Sequence, residues 1–364
     1  MLFLIFFIQI LKKQYTFFKK TIQTSHTVNI SHMKCRVCNF STKQIYVSPK
    51  LPEYYWPSLK KTKTSNCKVF GCNKCYSIQL QNFSKKRIQS FYGNESFNII
   101  TSENHQKRIN IIKKYYGLNF FRKKNIIDIG GGVNPIMNNK NVDIYDFKIS
   151  KDNNKSFKGN IFSGDIEKIK LKKKYDIVFL LHTLEHLPNP LKAINLIKDI
   201  LNKRGKIFIE IPNFDYFIKK MPHYAVFHQH LNMYDLNNLK NLFNLAELTI
   251  EKIFLKKDVI FCSVYKNKKI DKTLKINLVN KIKILKFNLK KEKKLLKKSF
   301  KKNLLHVYGA GGSTSLLLFN HRFFLKKIVN IYDNEKKKHN KLFPGTKKLI
   351  RKPNLDTKHA SVSF

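Results

Sequence analysis

The chain has 364 residues, 72 lysines and arginines against 23 acids, a formal charge of +49 and 42% apolar content. That is ample length and ordinary apolar content for two or three globular domains, and no apolar run is long enough to span a bilayer. The charge does not point to nucleic acid, because lysine outnumbers arginine 65 to 7 and is spread along the whole chain. Base readout and phosphate forks favour arginine, so the excess reads as composition-wide drift, as expected of an AT-rich coding sequence.

Residues 1–32 open with an apolar run, Met1 to Leu11, followed by Lys12-Lys13. The run is too short to cross a membrane and lacks the preceding positive charge and following small residues of a secretory signal. It is expected to be a mis-called start or a disposable extension.

Six cysteines follow, five of them within 41 residues. Cys35-x-x-Cys38 and Cys72-x-x-Cys75 form two knuckles, and paired knuckles present four thiolates to one tetrahedral zinc. Two disulfides in an exported chain are the alternative; zinc is preferred because the remaining sequence looks like a cytoplasmic enzyme. Neither knuckle holds a histidine or glutamate that would activate water, so the metal is read as structural. Cys67 is a spare thiol and Cys262 is distant. The module is assigned to residues 33–88.

The next segment, 89–268, predicts an α/β unit. Asn125-Ile126-Ile127-Asp128-Ile129 is a β-branched strand that breaks into Gly130-Gly131-Gly132, the pattern of a buried parallel strand ending at a ligand crevice. Glycine there lets backbone approach a bound nucleoside. Asn141-Val142-Asp143-Ile144 is a second strand ending in acid, with Asp146 just beyond, and Ser163-Gly164-Asp165 is an acidic turn. Tyr175 to Leu181 is a strongly apolar strand leading into His182-Thr183-Leu184-Glu185-His186. Asn189-Pro190 starts a helix that Gly205 is expected to end, and Lys206 to Asn213 is another strand. Together these spacings predict a doubly wound sheet with one crevice.

This order, from about Ile126 to Asn213, resembles the class I methyltransferases that use S-adenosylmethionine. The resemblance implies that Asp128, Gly130 and Gly132 hold the methionine end of the cofactor. It places Asp143 on the ribose hydroxyls, with Asp146 in reserve, and Asp165 at the adenine, and His182 joins the cofactor set. Two departures stand out: Asn134 replaces the third family glycine, and thirteen residues separate Gly130 from Asp143, so the first helix is very short. A subset of the family with a Gly-x-Gly-x-Asn-Pro loop has that abbreviated form. A dinucleotide dehydrogenase needs a full helix and an acid about 20 residues after its glycines, and ranks lower.

From Leu274 to Phe300 an apolar stripe at Leu278, Ile282, Leu285, Leu289, Leu296 and Phe300 predicts a long helix against a core, with lysines in water. It lies in a connector assigned to residues 269–303. Leu304 to Ser315 is a second strand and glycine turn, and Ile328 to Asp333 a strand ending in acid, before Phe343-Pro344-Gly345-Thr346. Alone, residues 304–364 read either as a second nucleotide-binding unit or as a decayed Rossmann-like half used for packing. The three modules in this order resemble the bacterial sugar C-methyltransferases, in which a Cys-x-x-Cys zinc module comes first, where Met33 stands here. The resemblance implies a further strand-helix-strand after Thr346, so the last domain is expected to be truncated.

The same resemblance places a Tyr-His-Glu-His stretch after the core, with its last histidine as the base for carbon methylation. Here the stretch is Phe227-His228-Gln229-His230. His230 is kept, and Gln229 stands where the family has an acid. Glutamine hydrogen-bonds but carries no proton, so chemistry on the usual ketosugar is in question. His186 is a second base candidate or a cap for the helix after it. The expected protein is thus a cytoplasmic methyltransferase with S-adenosylmethionine and structural zinc, acting on a carbon of a nucleotide sugar, whose anionic diphosphate a basic surface would suit. O- or N-methylation of a related metabolite, or a zinc-knuckle nucleic-acid binder with a relic core, are the alternatives.

Overall fold

The structure, a computed structural model, describes residues 33–91, 102–132, 134–147, 149, 155–267, 272–300, 304–353 and 361–363. The extension expected at residues 1–32 lies outside them.

The cysteine-bearing module is an antiparallel meander of β1 (Met33–Lys34), β2 (Ser41–Pro52), β3 (Thr64–Cys72) and β4 (Ile78–Leu80). Its two turns close in the same way. Asn39 and Tyr76 each take φ of 59°, and their N–H groups donate to Cys35 and Cys72 four residues earlier, at 2.9 and 3.0 Å. Asparagine tolerates that conformation; a tyrosine is held there only by its surroundings. A later segment, β10 (Asn232–Met233), adds to β4 as the sheet's fifth strand. The linear division into modules therefore breaks down at one point: the residues just after His230 belong to the first sheet.

The central sheet runs β11-β12-β9-β8-β5-β6-β7. Its strands are β5 (Ile126–Ile129), β6 (Val142–Asp146), β7 (Ile161–Ser163), β8 (Tyr175–Leu181), β9 (Leu201–Pro212), β11 (Leu248–Lys256) and β12 (Val259–Lys266). Pairings from β7 through β9 are parallel, and β12 runs against both neighbours. The expected α/β class is thus what the chain folds into. Side chains alternate between two apolar layers: Ile127, Ile129, Val178, Leu180, Ile207 and Ile209 face one core, while Ile126, Ile177, Phe179 and Phe208 face the other. Chain order reverses between β5 and β8, and in such sheets that is where the crevice opens.

Two local expectations are corrected. The helix opening at Pro190 ends at Asp199 without a glycine. Gly205 lies inside β9, where an added Cβ would come within 2.7 Å of Leu201 and 3.0 Å of the Tyr175 carbonyl. It is glycine to let strands pack, not to cap a helix. Between Gly130 and Asn141 the described residues form no helix at all, so that connection is shorter still than expected.

The long helix spans Leu278–Ser299. Leu278, Ile282 and Leu285 enter a core shared with β3, β4 and Phe227, while Leu296 and Phe300 pack on the carboxyl-terminal sheet. That sheet is wholly parallel, in the order β15-β14-β13-β16, from β13 (Leu305–Tyr308), β14 (Ile328–Tyr332), β15 (Ile350–Arg351) and β16 (Ser361–Ser363). Two further strands therefore follow Thr346, and one of them pairs with β13.

Candidate functional site

The four knuckle cysteines converge. The Cys35 and Cys75 sulfurs lie 3.6 Å apart and those of Cys38 and Cys72 lie 3.5 Å apart, and one sulfur from each lies within 4.8 Å of the other three. Zinc bonded to sulfur at about 2.3 Å in a tetrahedron separates its ligands by about 3.8 Å, so the set has the size of such a site. Hydrogen bonds from Cys35 and Cys75 pull the Cys72 thiol below its ordinary range. Cys67 sits apart in an apolar cluster, where burial pushes it up to about 12.

At the carboxyl end of β5 the chain turns at Gly130, with φ of 89°, and a Cβ there would lie 2.2 Å from the Thr183 hydroxyl. Gly131 passes Asp128 so closely that a Cβ would meet its carboxylate at 2.3 Å. The Ile136 N–H donates to Asp128 at 2.8 Å, and burial, with Asp146 nearby, pushes that carboxyl up to about 7. The Gly132 N–H donates to Asp146 at 3.0 Å. Asp128, the glycine loop and Asp146 thus form one cradle of backbone donors and acids.

Asp143 is elsewhere. Strand β6 continues to Asp146, so Asp143 is an inner residue rather than the terminal acid. Its carboxylate accepts from Asn160, from Lys173 at 2.7 Å and from Tyr175 at 2.8 Å. Burial opposes its charge, but these partners win and hold it below the usual range. Asp165 opens the turn after β7, accepts from the Glu167 N–H at 3.1 Å and pairs with Lys85.

The carboxyl ends of β8 and β9 carry a dense charge cluster. Glu210 is buried and clamped by Arg108, with Nε to Oε2 at 2.9 Å and a second short bond through Nη2. His182 Nε2 meets the same carboxylate at 2.8 Å, and its Nδ1 lies 3.4 Å from Glu185. Burial would lower the pKa of His182, but the two carboxylates outweigh it and hold it at about 9. Glu185 is 1% exposed, and neither oxygen accepts a hydrogen bond. Both His186 and His230 offer a nitrogen within 4.8 Å of it, and their rings stand 5.0 Å apart, edge to face.

His186 is tied to the backbone of the base stretch rather than to the following helix, since its Nδ1 donates to the Gln229 carbonyl at 2.8 Å and the N-cap position of that helix is Asn189, without a side-chain cap bond. Burial and His186 push His230 down to about 3, against the pull of Glu185. His228 turns away, bonding the Pro52 carbonyl and the Ser65 hydroxyl. Gln229 donates to the Phe91 carbonyl. Of the four candidate catalytic residues, His186 and His230 share the crevice, and the other two hold the amino-terminal module. The sequence gives Arg108 and Glu210 no motif, and Glu185 only a place inside one. The available signal was the scarcity of acid: in so basic a chain, a glutamate between two histidines on an apolar strand end is conspicuous.

A separate cleft of about 870 Å³ is lined by Lys60, Lys63, Lys86 and Arg87, and by Glu53, which pairs with Arg87 at 2.7 Å.

Residues 103–253 match the family model described as a methyltransferase domain, and the chain carries a methyltransferase domain over that span. Among solved structures it is similar to an S-adenosylmethionine-dependent methyltransferase from Clostridium acetobutylicum ATCC 824, at 11% identity over 50% of this chain and 98% of that one, with a TM-score of 0.37. The plantazolicin methyltransferase BpumL, solved with a desmethylPZN analog and SAH, is 17% identical over 50% and 90% at TM-score 0.37. The CcbJ methyltransferase from Streptomyces caelestis is 10% identical over 50% and 96% at TM-score 0.36. No curated protein matches the chain. The family match, not these distant likenesses, carries the assignment. Among the described residues no helix is long and apolar enough to cross a membrane.

The charge cluster has a consequence for stability. His182 is held at about 9 against an ordinary 6.5. Its contribution is complete below about pH 6.5 and disappears as pH rises through about 9, because between those values unfolding releases the proton that the folded histidine holds, and rising pH favours that release. Asparagine accepts the residue's φ of 48°, so His182→Asn is the suitable variant. Urea midpoints at pH 6.5 and 9.5 should fall more for wild type than for the variant; equal falls would remove His182 from the account.

Proposed function

We propose that this methyltransferase alkylates a carbon of a nucleotide-linked sugar, with His230 as base and Glu185 as its charge partner. The observation that carries the reading is the half-buried pair His186 and His230 beside a buried carboxylate that accepts no hydrogen bond, next to the glycine cradle. The order of the three modules supports the sugar.

S-adenosylmethionine, when bound, supplies an electrophilic methyl group on a sulfonium. Gly130, Gly131 and Gly132 let backbone reach it, Asp128 faces its amino-acid end, and Asp165 borders the adenine. Asp146 would take the ribose hydroxyls in place of Asp143, since it stands at the end of β6 beside the glycine loop and a carboxylate accepts from two hydroxyls together, whereas Asp143 lies inside the strand. His230 is neutral over the working range and takes the proton from substrate. Glu185 then stabilises the imidazolium, the work that the sequence gives no acid at position 229 to do. The four cysteines would hold one structural zinc, which would fix both knuckles in the sheet that β10 extends.

A second reading has its own support. Phe227 packs on His230 with ring centroids 4.1 Å apart and brings no hydroxyl to an enolate, which favours a hydroxyl of the same substrate as acceptor. A ¹³C-methyl label separates the two, since C–CH₃ and O–CH₃ resonate far apart.

Two variants divide the roles. Asp146→Ala should weaken S-adenosylhomocysteine binding by about 1.5–3 kcal/mol, the scale of a charged hydrogen bond, and Asp143→Ala should act on stability instead. His230→Ala should lose turnover by roughly 10²–10⁴-fold with that affinity unchanged. Loss of affinity in Asp143→Ala alone would return the ribose to Asp143, and an active His230→Ala would move the base to His186.

For the metal, purified protein should carry about one zinc per chain by elemental analysis, and Cys72→Ser should release it. A metal-free protein whose native thiols oxidise in pairs would refute the zinc site.

A further inference from the structure

The methyltransferase reading leaves one group of side chains unused. His223 sits in the single turn Pro222–Tyr224, Glu292 on the long helix, and Ser313 in the first turn of the helix Gly312–Asn320. His223 Nδ1 lies 2.7 Å from Glu292 Oε1, and its Nε2 lies 3.0 Å from the Ser313 hydroxyl. A carboxylate only accepts, so Nδ1 carries a proton, and the tautomer that this leaves presents Nε2 as an acceptor for Ser313. His321 holds the other oxygen of Glu292 at 2.6 Å, and Asn320 Nδ2 donates to the His223 carbonyl at 3.0 Å. The histidine is fixed in tautomer and in place.

We propose that Ser313, His223 and Glu292 form a second active site that cleaves esters of small carboxylic acids. Three different elements supply nucleophile, base and orienting acid, which is the order of roles in a serine hydrolase. Ser313 follows strand β13 and a glycine turn, and it is half-buried. The N–H groups of Gly312, Ser313 and Thr314 open the helix, where no intrahelical acceptor exists for them, and in this site they would receive the oxyanion. Space is open on one side, since a Cβ at Gly309 or Gly311 would meet nothing within 4 Å; on the other, Tyr55 packs against Gly312 so that a Cβ there would come within 2.3 Å of its ring. That wall limits the acyl group to a small one.

The steps balance. The Ser313 oxygen bonds to the carbonyl carbon while its proton passes to His223 Nε2. The bond from carbon to the alcohol oxygen then breaks, and the alcohol leaves with that proton. Water, giving its proton to His223, attacks the acyl-serine, releases the carboxylic acid and restores Ser313.

The full chain should be labelled by a fluorophosphonate probe, with the adduct mapping to the peptide containing Ser313, and should release nitrophenol from 4-nitrophenyl acetate. Ser313→Ala should abolish both. His223→Gln keeps a hydrogen-bonding side chain between Glu292 and Ser313 but supplies no base, so it should lose roughly 10²–10⁴-fold in rate. Binding of S-adenosylhomocysteine, unchanged in both, shows that they are folded; if Ser313→Ala fails this control, His223→Gln decides. Wild type that is neither labelled nor active, a label on another residue, or full activity in His223→Gln would each overturn the proposal and leave the triad as a packing latch.

Discussion

The crevice depends on burying two carboxylates side by side. Glu210 and Glu185 are 3% and 1% exposed, and a buried acid without compensation drives either its own protonation or unfolding. Arg108 and His182 provide that compensation for Glu210, which together they hold down at about 2 although burial raises it. Arg108 comes from the helix Ser102–Tyr116 and His182 from the end of β8 in an unusual backbone conformation. Their geometry fixes where β8, β9 and that helix meet, and therefore where Thr183 sits against Gly130 and where His186 points. Glu185 is left with charge nearby but no hydrogen bond, which is a costly arrangement for stability alone.

The base stretch is positioned from the other side by the cysteine module. His228 bonds Ser65 and Pro52, Gln229 reaches Phe91, and Arg36 donates to the Leu231 and Gln81 carbonyls at 2.9 and 2.8 Å. Strand β10 then continues the module's sheet. His230 is suspended between two anchored segments, so loosening the knuckles would move it without touching the central sheet.

Much of the fold was legible because its signals are local. A β-branched strand ending in glycines, a proline-started helix and an apolar stripe of helical period each report their own conformation. Boundaries were harder. Ending β6 at Asp143 rather than Asp146 exchanged the acid inside the sheet for the acid at its rim. Gly205 looked like a helix stop, because nothing local shows that Leu201 and Tyr175 approach it. The crevice was legible where a local motif marks it, as at the strand end Asp128-Ile129-Gly130 and in the histidine stretch that ends at His230. Arg108, Glu210 and the Ser313–His223–Glu292 group unite residues about 70 to 100 positions apart in sequence, and no periodicity encodes such meetings.

The central claim is that the glycine cradle between Asp128 and Asp146 holds the cofactor of a methyl transfer. Isothermal calorimetry of the wild-type chain with S-adenosylhomocysteine tests it directly. The account predicts saturable binding of one molecule per chain. A folded protein that gives no binding heat at any temperature tried, and no protection of the Gly130–Ile136 amides from hydrogen exchange, would contradict it.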